Sequence, residues 1–158
     1  MPDDDTPWLD AAELDDWIPF QGMLITLPAA LDAQLQRDAG MSLFSYSVLA
    51  GLSESPDRTL RMSDLAQVAS GSLSRLSHTI ARLERKGWVR RHPLPEDGRI
   101  TLASLTDEGF ATLRAAAPAH VRTVRALALD AIGPDGLREL GEASRAILDR
   151  LGIALPPR

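Results

Sequence analysis

A mainly α-helical fold carrying one small β-hairpin is what this sequence predicts, and three observations lead there. Leucine and alanine dominate the 158 residues while aromatics make up only 4%, a composition that favours helices over a β-sandwich or barrel. Apolar residues recur at spacings of three and four along most of the chain. Strand-like periodicity replaces that pattern in one stretch, from Trp88 to Ser104. The length suits one ordinary core, or two small lobes that share helices.

Several function classes fall away early. No uncharged stretch is longer than Trp17 to Leu31, which is interrupted by Pro19 and Pro28 and is shorter than the roughly 18 apolar residues of a membrane span, so no membrane association is expected. Met1 to Asp5 carries three aspartates and no basic residue, the wrong sign for a secretory signal, which leads to the expectation of a soluble cytoplasmic protein. The absence of cysteine excludes disulfides, thiolate zinc sites, cysteine nucleophiles and thiol redox sensing. His78, His92 and His120 lie 14 and 28 residues apart, with no metal-ligand spacing, and no glycine-rich phosphate loop is present. Neither an enzyme nor a bound cofactor or metal is expected.

The net charge of −5 is unevenly divided. Residues 1–57 hold one basic side chain, Arg37, against eleven acidic ones, and residues 100–158 hold seven of each. Between Arg58 and Arg99, eight arginines and one lysine face only Asp64, Glu84, Glu96 and Asp97, a local charge of +5. Beyond a Debye length of about 8 Å the acidic ends are mostly screened, so the middle segment is free to attract phosphate. A solvated basic surface would give the same count.

Taken in order, Leu24, Leu27, Leu31 and Leu35 give a first helix an apolar face, and Pro28 inside it predicts a kink or a break into two helices. Gly40 is its expected cap. Ser42 caps a second helix with Phe44, Val48, Leu49 and Leu52 inward, closed by a loop from Ser53 to Thr59. Met62, Leu65 and Ala69 mark the buried side of a short third helix, and Ser70, Gly71 and Ser72 turn into a fourth. That fourth helix, Leu73 to Lys86, carries Leu73, Leu76, Ile80 and Leu83 on one stripe and Ser74, Arg75, His78, Arg82 and Arg85 on the opposite face. Gly87 ends it. Trp88–His92 and Ile100–Ser104 then form a hairpin with a turn-rich tip from Pro93 to Arg99.

Thr106 caps the next helix, with Phe110, Leu113, Ala117, Val121, Val124 and Ala128 in its stripe and Pro118 expected to bend it. Gly133 to Gly136 form a loop, and Leu137, Leu140, Ser144, Ile147 and Leu151 line a last helix. The terminal leucine stripes either pack on each other within one chain or form a dimer interface.

Helix, short helix, tight turn, outward-basic helix and basic hairpin, in that order, is the arrangement of a winged helix-turn-helix. One helix is held by its apolar stripe so that its polar face enters the major groove, while the hairpin reaches the flanking backbone or minor groove. The run SLSRLSHTIARLERKGWVRR followed by PEDGRITLASLTDEG resembles the multiple-antibiotic-resistance regulator (MarR) family of transcription factors, most closely from Met62 to Gly109. LQRDAGMSLFSYSVLAGLSE and AAAPAHVRTVRAL extend the likeness over most of the chain.

The resemblance implies a homodimer with interlocking terminal helices, two winged lobes on a palindromic double-stranded DNA operator, and release by a small aromatic or anionic effector bound between dimer helices and lobe. It implies a division into residues 1–38 as leader and dimerisation helix, 42–105 as DNA-binding lobe and 106–158 as C-terminal dimerisation helices. By that likeness Asp97 and Arg99 fall on the D-x-R motif of the wing, and Ser74, Arg75 and His78 on the groove-facing start of the reading helix. The candidate DNA-contacting set is Ser72, Ser74, Arg75, His78, Thr79, Arg82, Arg91, Asp97 and Arg99, with the Asp97 carboxylate orienting the tip through Arg99 or by facing Arg90 or Arg91 across the hairpin. His92 either touches phosphate or only sits on the hairpin, and His120 is expected to pack between helices. Trp17, Phe20, Met23 and Tyr46 line a candidate effector pocket, against the alternative of core or interface packing. The rival to a ligand-responsive repressor is a winged-helix interaction module without specific DNA binding.

Overall fold

The computed structural model describes residues 6–153; the acidic leader Met1–Asp5 lies outside them. Helix α1 runs from Ala11 to Ala39. Asp10 accepts the Glu13 N–H at 2.8 Å while Glu13 accepts the Asp10 N–H at 2.9 Å, a reciprocal cap, and Gly40 closes the other end in the left-handed conformation. The predicted break at Pro28 does not occur. Pro19 and Pro28 each remove one backbone donor, and the remaining turns of a helix capped at both ends carry it through.

Helix α2 (Leu43–Glu54) starts at Ser42, whose hydroxyl accepts the Ser45 N–H, and Asp32 of α1 accepts the Leu43 N–H at 2.7 Å. Strand β1 (Thr59–Arg61) then appears at the end of the expected loop. Three residues are too short to show alternation in sequence; their pairing with a distant strand makes them a strand. Helices α3 (Met62–Val68) and α4 (Leu73–Arg85) follow, with Ser72 capping α4 through the Arg75 N–H. Strands β2 (Val89–Leu94) and β3 (Asp97–Leu105) form the hairpin, and the antiparallel sheet has the order β1-β3-β2. Its register pairs Arg61 with Leu102 and His92 with Leu102, and breaks between Pro93 and Leu94 beside the tip.

Thr106 caps α5 (Asp107–Val124), which runs unbroken through Pro118. Gly109 sits so close to the Trp88 carbonyl that a side chain there would meet backbone. A π-helical turn, Arg125–Leu129, leads into α6 (Asp130–Arg150). In place of a four-residue loop, the chain turns at Gly133, whose φ of 67° is open to glycine, and Pro134 continues in helical conformation.

The core lies in the middle of the chain: Leu35, Val48, Leu49, Leu52, Leu65, Leu76, Ile80 and Leu83 are essentially inaccessible. In the stripes predicted for α4 and α5, Leu73 and Val121 stand out as exposed. Leu73 opens α4 before the helix reaches the core, and Val121 lies on α5 beyond the lobe; both are more than half exposed. The two terminal stripes do not bury each other within the chain. Leu24 stays 52% exposed, Leu137, Leu140, Ile147 and Leu151 are exposed, and α6 has no buried residue. Only the C-terminal part of the first stripe, ending in the buried Leu35, belongs to the lobe.

Candidate nucleic-acid interface

Helix α4 has two sharply different sides. Leu76, Thr79, Ile80 and Leu83 are buried, which fixes the helix on the lobe, while Ser74, Arg75, His78, Arg82 and Arg85 are exposed. Thr79 is therefore corrected: it lies 300° around the helix from Leu76, inside the buried arc, with 4% of its surface exposed, and it packs rather than contacts.

The start of α4 is built on one aromatic ring. Gly71 approaches the Phe44 ring so closely that no side chain fits between them. The Arg75 guanidinium lies 4.1 Å above the same ring. A cation over an aromatic face keeps its charge while losing conformational freedom, so Arg75 is oriented before it meets any partner. The Ser72 hydroxyl oxygen is engaged as the cap, and Ser74 and His78, four residues apart on α4, are exposed.

Two of the arginines in the candidate set point back into the protein. Arg82 donates to Ser45 Oγ at 3.3 Å and, with Lys86, lines a crevice of about 120 Å³ at the start of α2. Arg91 donates through Nε to Glu84 at 2.8 Å and through its backbone N–H at 2.9 Å. These bonds hold the Glu84 carboxyl below its ordinary range. Arg91 fastens the hairpin to α4 and is not the brace of the tip; the sequence signal for this was Glu84, lying near the apolar side of α4, with an arginine seven residues on.

The brace is Asp97. Its carboxylate accepts Arg99 Nε at 3.1 Å, Arg99 Nη2 at 3.3 Å and the Arg99 backbone N–H at 3.1 Å. These bonds, with the field of Arg61, lower the Asp97 pKa. Arg99 itself projects into solvent with 92% of its side chain exposed. Beside the two-residue turn at Pro95 and Glu96, the Arg99 guanidinium is thus held along one edge, Nε and Nη2, with its other edge open to solvent.

The four residues expected to line an effector pocket are not assembled within one chain. Trp17 and Phe20 are neighbours on α1, their rings 5.6 Å apart, and Met23 follows one turn later. Tyr46 instead packs against His120, the rings tilted and 4.4 Å apart, and His120 Nδ1 donates to Gln34 Oε1 at 2.9 Å, with Gln34 in turn donating to Asp38. Trp17 and Gln34 are 17 residues apart on one helix, about 25 Å along its axis. His120 packs as expected: it is buried, and burial lowers its pKa. Among the described residues no cluster of metal-ligating side chains occurs, and no helix is long and apolar enough to cross a membrane.

Comparison with known proteins agrees with this architecture. The family model of the MarR family matches residues 41–101. Sco3205, a MarR family transcriptional regulator from Streptomyces coelicolor whose crystal structure is in complex with DNA, is 46% identical; the match covers 91% of this chain and 94% of that one, with a TM-score of 0.88. AbsC, a MarR family transcriptional regulator from the same organism, is 38% identical over 92% of this chain and 98% of its own, with a TM-score of 0.87. The HTH-type transcriptional regulator PecS of Dickeya dadantii (strain 3937) is 42% identical over 52 residues, so the chain matches about a third of that relative's length, 31%, through 33% of its own. With a winged lobe built on α2 to β3 and a relative of this identity along nearly its whole length, the chain belongs to the MarR family of transcriptional regulators.

Proposed function

We propose that this protein is a homodimeric repressor that reads a palindromic double-stranded DNA operator, with α4 in the major groove and the wing tip in the adjacent minor groove. The observation that carries the reading is the pairing of a fully buried inner face of α4 with an outer face on which Arg75, His78 and Arg85 are exposed. Such a helix presents its N-terminal residues to base edges, so Ser74, Arg75 and His78 are assigned to readout. Arg99, held by Asp97, suits a narrow minor groove, whose negative potential accepts a planar and weakly hydrated cation. The solved DNA complex of Sco3205 supports the choice of partner.

The dimer is supported by Leu24, Leu137, Leu140, Ile147 and Leu151, which together leave two apolar stripes uncovered. Residues 1–38 and 106–158 would then supply the interface and 42–105 the reading lobe. On a two-fold axis the lobes meet half-sites about one helical turn apart, near 10 base pairs. Trp17, Phe20, Met23 and Tyr46 give no support to an effector site within one chain, and release by a ligand is not part of the proposal.

Selection of bound duplexes from a random pool, followed by a gel shift with excess competitor DNA, tests the reading. Enrichment of an inverted repeat that outcompetes random DNA is expected. Binding no tighter than to random DNA would favour the interaction module over the repressor.

A further inference from the structure

The third strand gives the wing an outer surface that the hairpin alone would not have. In the observed register Leu60, Ala103 and Arg91 share one face of the sheet, and Ala103 is fully buried while Arg91 reaches Glu84 on α4. That face is turned toward the reading helix. Alternation puts Thr59, Arg61, Arg90, His92 and Ser104 on the opposite face. Three of these side chains are joined across all three strands: His92 Nε2 to Ser104 Oγ at 2.8 Å, and Ser104 Oγ to Thr59 Oγ1 at 2.7 Å. The surface is therefore a braced platform rather than a loose ribbon.

Arg61 and Arg90 stand on this platform, both exposed, and neither side chain has a hydrogen bond or ion pair with any described residue. Arg58, close by in sequence, differs: it is paired with Asp107 at 3.1 Å and lies over the Phe110 ring. Across two strand spacings and two residues of offset, Arg61 and Arg90 are about 12 Å apart, beyond a Debye length, so they coexist with little mutual repulsion. The field of Arg61 also reaches the wing tip, where it helps to hold Asp97 ionised.

We propose that the outer face of the wing sheet, through Arg61 and Arg90, binds the phosphate backbone of the duplex lying outside each half-site. The inference rests on the DNA-binding reading above. On that reading, with α4 in the major groove and the wing tip in the next minor groove, the sheet face opposite α4 lies along the flanking duplex. Guanidinium groups on a flat sheet reach sugar-phosphate and not base edges, so the contact carries affinity without sequence preference. The footprint of the dimer then exceeds the palindrome it reads.

The test is fluorescence anisotropy with two duplexes, one ending at the selected palindrome and one extended by ten base pairs of arbitrary sequence on each side, over a range of salt. Wild-type protein is expected to bind the extended duplex more tightly, with a salt slope steeper by about 0.9 for each phosphate neutralised, or roughly 3.6 for four contacts per dimer. Arg61→Gln with Arg90→Gln should lose that gain, so that its affinities and salt slopes on the two duplexes become equal. Equal wild-type affinity and slope on both duplexes would overturn the proposal, as would equal weakening of the double variant on both. Failure of the wild type to bind the short duplex is a separate outcome, and it would instead overturn the DNA-binding reading itself.

Discussion

Helices α4 and α6 carry the same kind of apolar periodicity and meet opposite fates. In α4, Leu76, Ile80 and Leu83 are completely buried in the core of the lobe, where α4 packs against α3 and β2. In α6, Leu137, Leu140 and Ile147 repeat at similar spacing, and each leaves more than a third of its surface open. Periodicity therefore states that a face must be covered and says nothing about what covers it. For α4 the cover lies within the chain, and the polar side is left for a partner. For α6 the apolar side is the one left over, and a second copy is the cover we assign to it.

The contrast is sharpest for stability. Leu76→Ala removes a fully buried side chain beneath the reading helix and should cost about 2 to 5 kcal/mol, a large share of a domain's total of about 5 to 15. Denaturant titration at several protein concentrations checks it: the loss should appear at every concentration. Leu140→Asp acts on the other region. It should leave helical content intact while weakening self-association by about 2 kcal/mol, near thirtyfold, read by sedimentation equilibrium. An unchanged dimer mass would remove α6 from the interface and with it the comparison.

On the polar side, Arg75→Ala should weaken operator binding by about 1 to 3 kcal/mol with little loss on random DNA, since a bidentate base contact is specific. Equal losses on both would put Arg75 on phosphate. Asp97→Ala is a smaller test of the wing. Removing a negative charge near DNA would tighten binding if the carboxylate were a bystander, whereas the brace of Arg99 predicts weaker binding. Tighter binding with an unchanged circular dichroism spectrum rejects the brace.

The smallest expected effect concerns the joint between the two regions, where His120 of α5 meets Gln34 of α1 and Tyr46 of α2. Burial lowers the His120 pKa below 6.5, so the unfolded chain takes up that proton more readily than the folded one. Stability from this source is intact above about pH 6.5 and falls as the pH drops through the lowered native value. His120→Gln should therefore flatten the acid limb of a plot of Tm against pH. Parallel curves for variant and wild type below pH 6.5 would contradict the burial argument.

Much of the architecture was legible because it is set within a few residues. Gly40 ends α1 because it accepts a left-handed φ of 59°, and Ser42, Ser72 and Thr106 cap their helices because a hydroxyl reaches the N–H three residues on. Even the burial of Thr79 follows from its angle around α4, one residue from Ile80 and three from Leu76. Arg82 and Arg91 were different. Helical phase puts Arg82 outward, yet a long side chain folds back to Ser45, 37 residues earlier, and only the packed lobe brings that hydroxyl within reach.

The sequence by itself determined the order of helices and hairpin, the two-sided character of α4, the basic segment and the Asp97–Arg99 pair at the wing tip, since each depends on local spacing, capping and charge. Tertiary structure decided what depends on residues far apart in the chain. It made a strand of Thr59–Arg61 by pairing it with Leu102–Ser104, set Tyr46 on His120 and away from Trp17, and left the α6 stripe without cover. Contacts across tens of residues arise from how whole faces pack together, and a periodic pattern records the face without its neighbour.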